Sequence, residues 1–427
     1  MISKDSFKTL VKSDDWLACW YGLFLFIISL LGIINIVPRP KVWFQNPFEA
    51  LSLEIASSYF LLTIILAVIC AIGIMLMGGR PFTFFPAFLA LSVLGLFAQI
   101  ISKQTFIQAY GLEYVLWALI IGLVISNVFR LPNFLKPAVQ TELYIKTGLV
   151  LLGSEILFSR ILNLGVQGLI LAWGVTPIVI YFMYKYGTSF LKLDKTLTIL
   201  IASATSVCGV SAAIAVAAAT KAKKEFLTLT ISLTLISTVI MLVGLPAFIK
   251  AVGLNYIIGG AWIGGTVDST GAVVAAGELL SHQAMEVATV VKLIQNVMIG
   301  IIAFVIALLW VTNVEVSSNT KPSLVEVWYR FPKFVIAFMA LSLISSFIVT
   351  PIIGEMMLDN VLKITGGIRT FLFAIGFLTI GLESDFKSLK KQIFGGRSVQ
   401  LYIAGQSFNV VLTFIVAWIL FGFLYTS

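Results

Sequence analysis

The stretch GGAWIGGTVDSTGAVVAAG, residues 259–277, decides how this chain is read. It is apolar enough to lie in a bilayer, yet it carries six glycines, three hydroxyl side chains and one carboxylate, Asp268. Upstream, SATSVCGVSAAIA at 203–215 is built in the same way, and V-x3-[SG]-A-[AV]-[IV]-A recurs from Val207 and from Val267, 60 residues apart. Glycine and small residues allow a membrane helix to break where its freed amides find other partners. A break leaves a half-helix N-terminus inside the membrane, and its N–H groups, helped by Ser and Thr hydroxyls, make a site for a small anion. On this reading Ser206, Cys208, Gly209, Ser211, Gly265, Thr266, Ser269 and Thr270 are the substrate-binding candidates. The alternative is plain helix packing through small residues.

Asp268 weighs against packing alone. An ionisable group deep in an apolar segment is costly and usually functional, although an Asp before a half-helix can also serve as its N-cap. We expect Asp268 to carry a coupling ion, H⁺ or Na⁺, with Lys292 in the next apolar segment as its natural partner and as a further substrate ligand; the bland reading of Lys292 is snorkelling to the interface. Gln295 and Asn296 lie beside it. Glu155 is a second ion-coupling candidate, and Arg160 is within reach to pair with it. Gln406 and Asn409, polar residues in the last apolar run, read as interhelical glue.

The rest of the chain agrees with a membrane setting. Of 427 residues, 59% are hydrophobic and 11% charged, with a mean hydropathy of +1.05, outside the range of water-soluble domains. About thirteen apolar stretches approach the ~20 residues a spanning helix needs, which leaves no room for a large catalytic or nucleic-acid module. The charge of 28 − 19 = +9 sits in short loops, where it sets topology and not nucleic-acid binding. Cys19, Cys70 and Cys208 all fall inside apolar stretches and read as buried thiols. Lys4, Lys8 and Lys12 precede an apolar run from Trp16 to Val37, which reads as a first transmembrane helix with a cytoplasmic N-terminus and not as a cleaved signal. A Ser-His-Asp triad, a His-rich metal site and a phosphate-cradling loop are missing from the sequence, so neither an enzyme nor a cofactor is expected.

The apolar segments lie near 16–37, 59–79, 86–104, 112–130, 141–159, 165–186, 196–219, 226–250, 256–277, 286–311, 333–354, 366–382 and 398–424. If all of them cross, Lys221, Lys223 and Lys224 fall outside, against the positive-inside tendency. If 196–219 and 256–277 re-enter, every strongly basic loop becomes cytoplasmic and about eleven crossings remain. An internal repeat is visible as G-x4-G-x-E-x2-F at Gly148, Gly153, Glu155 and Phe158, and again at Gly376, Gly381, Glu383 and Phe386, 228 residues later. The two copies run in opposite directions in either topology, as in secondary transporters. The expected fold class is therefore an all-α polytopic membrane protein of about 11–13 segments with inverted repeats and two broken or re-entrant helices. Residues 1–85 read as an N-terminal extension with two extra helices and an interfacial loop. Residues 86–427 read as the transporter domain, with repeat-bearing regions at 112–187 and 333–424 and the site region at 196–311.

At KTGLVLLGSEILFSRILNLG (146–165), SATSVCGVSAAIA (203–215), GGTVDSTGAVVAAG (264–277), VVKL (290–293) and FAIGFLTIGL (373–382) the chain resembles the bacterial sulfate-exporter family over about residues 86–425. The resemblance implies export of sulfur oxyanions or small sulfonates and kinship with cation/proton antiporters and anion transporters of the elevator type. Departures from the family pattern are specific. Asp268, Ser269 and Ala272 stand where that family usually has His, an acid and Gln, and Glu155 and Gln295 replace arginines, whereas Lys292 is kept. The pocket is less positive than the family's, which favours a less charged substrate or a cation bound at Asp268. The expected partners are a small inorganic or organic anion, H⁺ or Na⁺, the lipid bilayer of the bacterial inner membrane and a second copy of the chain, with no nucleic acid. The rival readings are a cation/proton antiporter with no anion substrate and, further off, a membrane enzyme or sensor scaffold.

Overall fold

A computed structural model describes residues 13–34, 39–109, 114–155, 158–313, 332–384 and 396–423. Among them the regular structure is helical: α1 (Asp14–Leu30), α2 (Leu53–Leu76), α3 (Pro81–Ser102), α4 (Tyr114–Phe129), α5 (Thr141–Glu155), α6 (Phe158–Lys185), α7 (Lys195–Ser206), α8 (Gly209–Thr220), α9 (Lys224–Ala251), α10 (Tyr256–Thr266), α11 (Thr270–Leu280), α12 (His282–Asn313), α13 (Lys333–Ile353), α14 (Glu355–Glu383) and α15 (Gly396–Ala417). Eight described helices are long and apolar enough to cross a membrane by length and composition. The chain is an all-α polytopic membrane protein. It divides into two compact units, one of α1–α5 with α13 and α14, the other of α6–α12 with α15.

In the first unit the inverted repeat is visible as a reciprocal contact. Gly148 on α5 faces the Phe373 ring on α14, and Gly376 on α14 faces the Ile145 side chain on α5. Residues 145 and 373 are themselves 228 apart, the repeat spacing, and 145 meeting 376 while 148 meets 373 makes the two helices antiparallel. The second glycine of each motif is pressed against a backbone: Gly153 against Phe338 of α13, Gly381 against Leu119 and Leu123 of α4. α1, from the N-terminal extension, is held in this same unit. Gly22 lies against Val150, and Asp15 accepts from Lys146 at 2.7 Å and from the Lys333 amide at 2.9 Å.

In the second unit the two interrupted helices are hairpins. Leu200 on α7 and Val216 on α8 share one apolar cluster with Ile306 and Trp310 near the end of α12. The break between them, Val207 and Cys208, instead clusters with Ile299 and Ala303. The chain therefore enters along α7, turns at 207–208 and returns along α8. The second hairpin comes from the other end of α12: a methyl group on Gly259 at the start of α10 would stand 3.3 Å from Leu280 at the end of α11. Methyl groups on Gly260 and Gly264 would stand 2.6 Å from the carbonyl oxygens of Ala284 and Ala288, and one on Gly277 2.6 Å from the Met285 Cα. These glycines let α10 and α11 lie directly on the α12 backbone. Both segments thus double back as hairpins, the shape that the second of the two topologies open at the sequence level requires. Among the described residues eight helices are of span length, and α4 is a shorter apolar one.

Candidate functional site

The two hairpin tips meet halfway along α12. Local sequence builds each of them: Asp194 caps α7 by accepting from Thr196 and Leu197, Asn255 caps α10 through the Ile257 amide, and Ser269 caps α11 through the Ala272 amide at 3.3 Å. Cys208, which begins α8, supplies no side-chain cap. The Gly209 amide donates across to the Asp268 carbonyl oxygen at 2.8 Å, joining the tips through their main chains.

Each tip brings a half-helix C-terminus into a buried place, and its freed carbonyls need donors. Lys292, 1% exposed, donates to Val207 O, to Val267 O at 2.8 Å and to Gln295 Oε1 at 2.8 Å. Gln295 Nε2 donates to Ser206 O at 2.9 Å, with Gly265 O and Thr176 Oγ1 further off. From α15, Gln406 donates to Thr266 O at 3.2 Å and Asn409 to Thr205 O at 3.4 Å. Two half-helix C-termini carry roughly −0.5 each, so one ammonium offsets both.

Asp268 is equally buried and feels the Lys292 charge, as the sequence leads one to expect, but makes no direct ion-pair contact with it. Its Oδ2 accepts from the Tyr402 hydroxyl of α15, and its Oδ1 has no hydrogen-bond partner. Lys292 is drawn instead to the two carbonyls that the hairpin turns leave bare. Thr270 accepts from Asn296 Nδ2 at 2.9 Å and lies 4.0 Å from the Cys208 sulfur, and Thr266 Oγ1 is buried without a partner. Ser206 bonds back to Ala202 in its own helix. Gly209, Gly265, Ser269 and Lys292 therefore sit with Asp268 at the tips, as do Cys208, Thr266 and Thr270, and Ser211 lies one turn into α8.

Glu155 belongs to the other unit. Its carboxylate takes a two-point bond from Arg369, Nε at 3.0 Å and Nη2 at 3.1 Å, and this pairing, from across α14, stands where the sequence offered Arg160. The side chain of Arg160 is outside the described residues. Tyr402 and Thr176 escaped the sequence reading. A signal for Tyr402 exists, since Tyr402, Gln406, Asn409 and Thr413 repeat at three to four residues and form a polar stripe along one face of an apolar helix.

Residues 86–399 match the family described as Conserved hypothetical protein 698, and the chain belongs to that family. It is 45% identical to the UPF0324 membrane protein of Rhodopirellula baltica over 90% of its own length and 71% of the relative's. It is 44% identical to a UPF0324 membrane protein of Nitratidesulfovibrio vulgaris, covering 88% of the chain and 66% of that relative, so the chain spans just under two thirds of that protein's length. A more distant relative, from Nitrosomonas europaea, is 26% identical over 97% of the chain and 96% of its own length. No solved structure matches.

Proposed function

We propose that the protein is a secondary transporter of a small anion, coupled to H⁺ or Na⁺, and not an enzyme. The observation that carries the reading is the meeting of two opposed re-entrant hairpins at a buried carboxylate. Hairpins entering from the two ends of one helix put a polar site at mid-membrane, where alternating access needs it. The half-helix N-termini at Gly209 and Thr270 supply positive potential for the anion, and Asp268 supplies the place for the coupling ion. The two-unit division fits an elevator-type cycle in which one unit carries the site. With both hairpins re-entrant, the loops holding Lys185, Lys192 and Lys195, Lys221 to Lys224, Lys321 and Arg330, and Lys387 to Arg397 all fall on one side. That side is the cytoplasm by the positive-inside rule, with the N-terminus there too, in a bacterial inner membrane. The resemblance to sulfate exporters favours a sulfur oxyanion or sulfonate as the exported substrate.

A specific observation favours a second reading, a cation/proton antiporter: all three Lys292 protons are engaged by the protein, so no side-chain cation at the tips is left for an anion. Charge movement by purified protein in proteoliposomes on a solid-supported membrane separates the two. Sulfate, sulfite, small sulfonates and carboxylates are applied with and without Na⁺ and at several pH values. An anion-specific current is expected. Signals from Na⁺ or pH jumps alone replace the first reading with the second.

A further inference from the structure

Donors and acceptors at the hairpin tips do not balance. The donors of Lys292 are used up by Val207, Val267 and Gln295, and those of Gln295 by Ser206, Gly265 and Thr176. Oxygens are left over. Asp268 Oδ1, Thr266 Oγ1, Asn296 Oδ1 and Gln406 Oε1 are all buried and all without a hydrogen-bond partner. The Gln406 amide nitrogen donates to Thr266 O, which can only accept, so Oε1 points elsewhere. The Asn296 amide nitrogen donates to the Thr270 hydroxyl, which leaves Oδ1 as its other face. The same bonds bring the four side chains to the tips: Gln406 is tied to Thr266, Tyr402 one turn earlier is tied to Asp268, and Asn296 is tied to Thr270 two residues beyond.

A buried oxygen without a partner is costly. A water molecule together with the Thr266 hydroxyl proton serves the other three oxygens as acceptors but leaves the buried Asp268 charge uncompensated, which calls for a cation. A transition metal prefers nitrogen or sulfur donors, and a divalent hard cation is usually held by more than one carboxylate. One carboxylate among neutral oxygens suits a single monovalent charge. We propose that the hairpin tips bind one dehydrated Na⁺ through Asp268 Oδ1, Thr266 Oγ1, Gln406 Oε1 and Asn296 Oδ1. The proposal rests on the transporter reading and deepens it by naming the coupling ion as a metal cation and not a proton. Na⁺ on the ionised Asp268 cancels its charge and leaves the two half-helix N-termini, roughly +0.5 each, for the anion.

The test is ²²Na⁺ binding to the purified full-length chain, read alongside thermal stability in NaCl, KCl and choline chloride. Saturable Na⁺ binding and a sodium-specific rise in Tm are expected for the wild type. Thr266→Val, which keeps the shape and loses the oxygen, and Gln406→Leu should weaken binding at least tenfold, with a Tm in choline close to wild type. Gln406→Glu should restore binding, which a purely structural role would not require, and Asp268→Asn should abolish it. Absence of saturable Na⁺ binding in the wild type, or wild-type binding in Thr266→Val and Gln406→Leu, overturns the site. Transport driven by pH jumps without Na⁺ binding sinks the cation site and leaves the transporter reading. Na⁺ binding without any transport does the reverse.

Discussion

The two carboxylates that the sequence marks for ion coupling, Glu155 and Asp268, have surroundings that differ in kind. Glu155, in the first unit, is gripped at both oxygens by the Arg369 guanidinium, itself stacked over the Phe373 ring at 5.5 Å. Asp268, in the second unit, takes a phenol on one oxygen and no hydrogen bond on the other, with the Gln406 amide and the Lys292 charge nearby. A carboxylate closed off by a two-point ion pair holds helices together; one left half open in a polar cluster is placed to take up and release an ion. Both are candidates for ion coupling on sequence grounds, and the contrast favours Asp268.

The largest effect that would break this comparison lies at Asp268. Asp268→Asn should reduce gradient-driven transport at least a hundredfold in proteoliposomes while the protein still inserts and purifies; retained transport removes its coupling role. Glu155→Gln should do the opposite. It removes the negative charge of the two-point ion pair and should cost about 3–5 kcal/mol of stability, read as a lower Tm, with the ion dependence of transport unchanged; an altered ion dependence would put Glu155 back among the coupling residues. Lys292→Met strips the donor from two buried carbonyls, each worth about 1–3 kcal/mol, and should lower Tm by more than Lys292→Arg does. Gly264→Ala brings a methyl group 2.6 Å from the Ala288 carbonyl oxygen and should cost about 1–3 kcal/mol by forcing α10 off α12. Ser269→Ala removes one N-cap, at about 1 kcal/mol, and sharpens the site assignment if transport affinity changes by more than that loss explains.

The breaks themselves were legible, because glycines and hydroxyls crowded into an apolar run weaken the helix at the place where lipid otherwise demands an unbroken one. Whether 196–219 and 256–277 cross or re-enter was not. Twenty-odd residues suit either, and the choice is made by packing, with Gly259 beside Leu280 and Leu200 beside Val216. The repeat was legible from four residues, and its antiparallel sense followed from counting segments. The partners of Lys292 were hidden for a simple reason: they are main-chain carbonyls, which every residue has and no sequence marks. Tyr402 lies 134 residues from Asp268, so only the polar stripe on α15 could have pointed to it.

The packing of α5 on α14 has a consequence for substitution. Residue 145 meeting 376 while 148 meets 373 is the self-complementary pattern that a two-fold axis produces between identical subunits. A change on one side of the contact is therefore met by its counterpart 228 residues away. Substitutions at 145, 148, 373 and 376 should accordingly be tolerated better in symmetric pairs than singly.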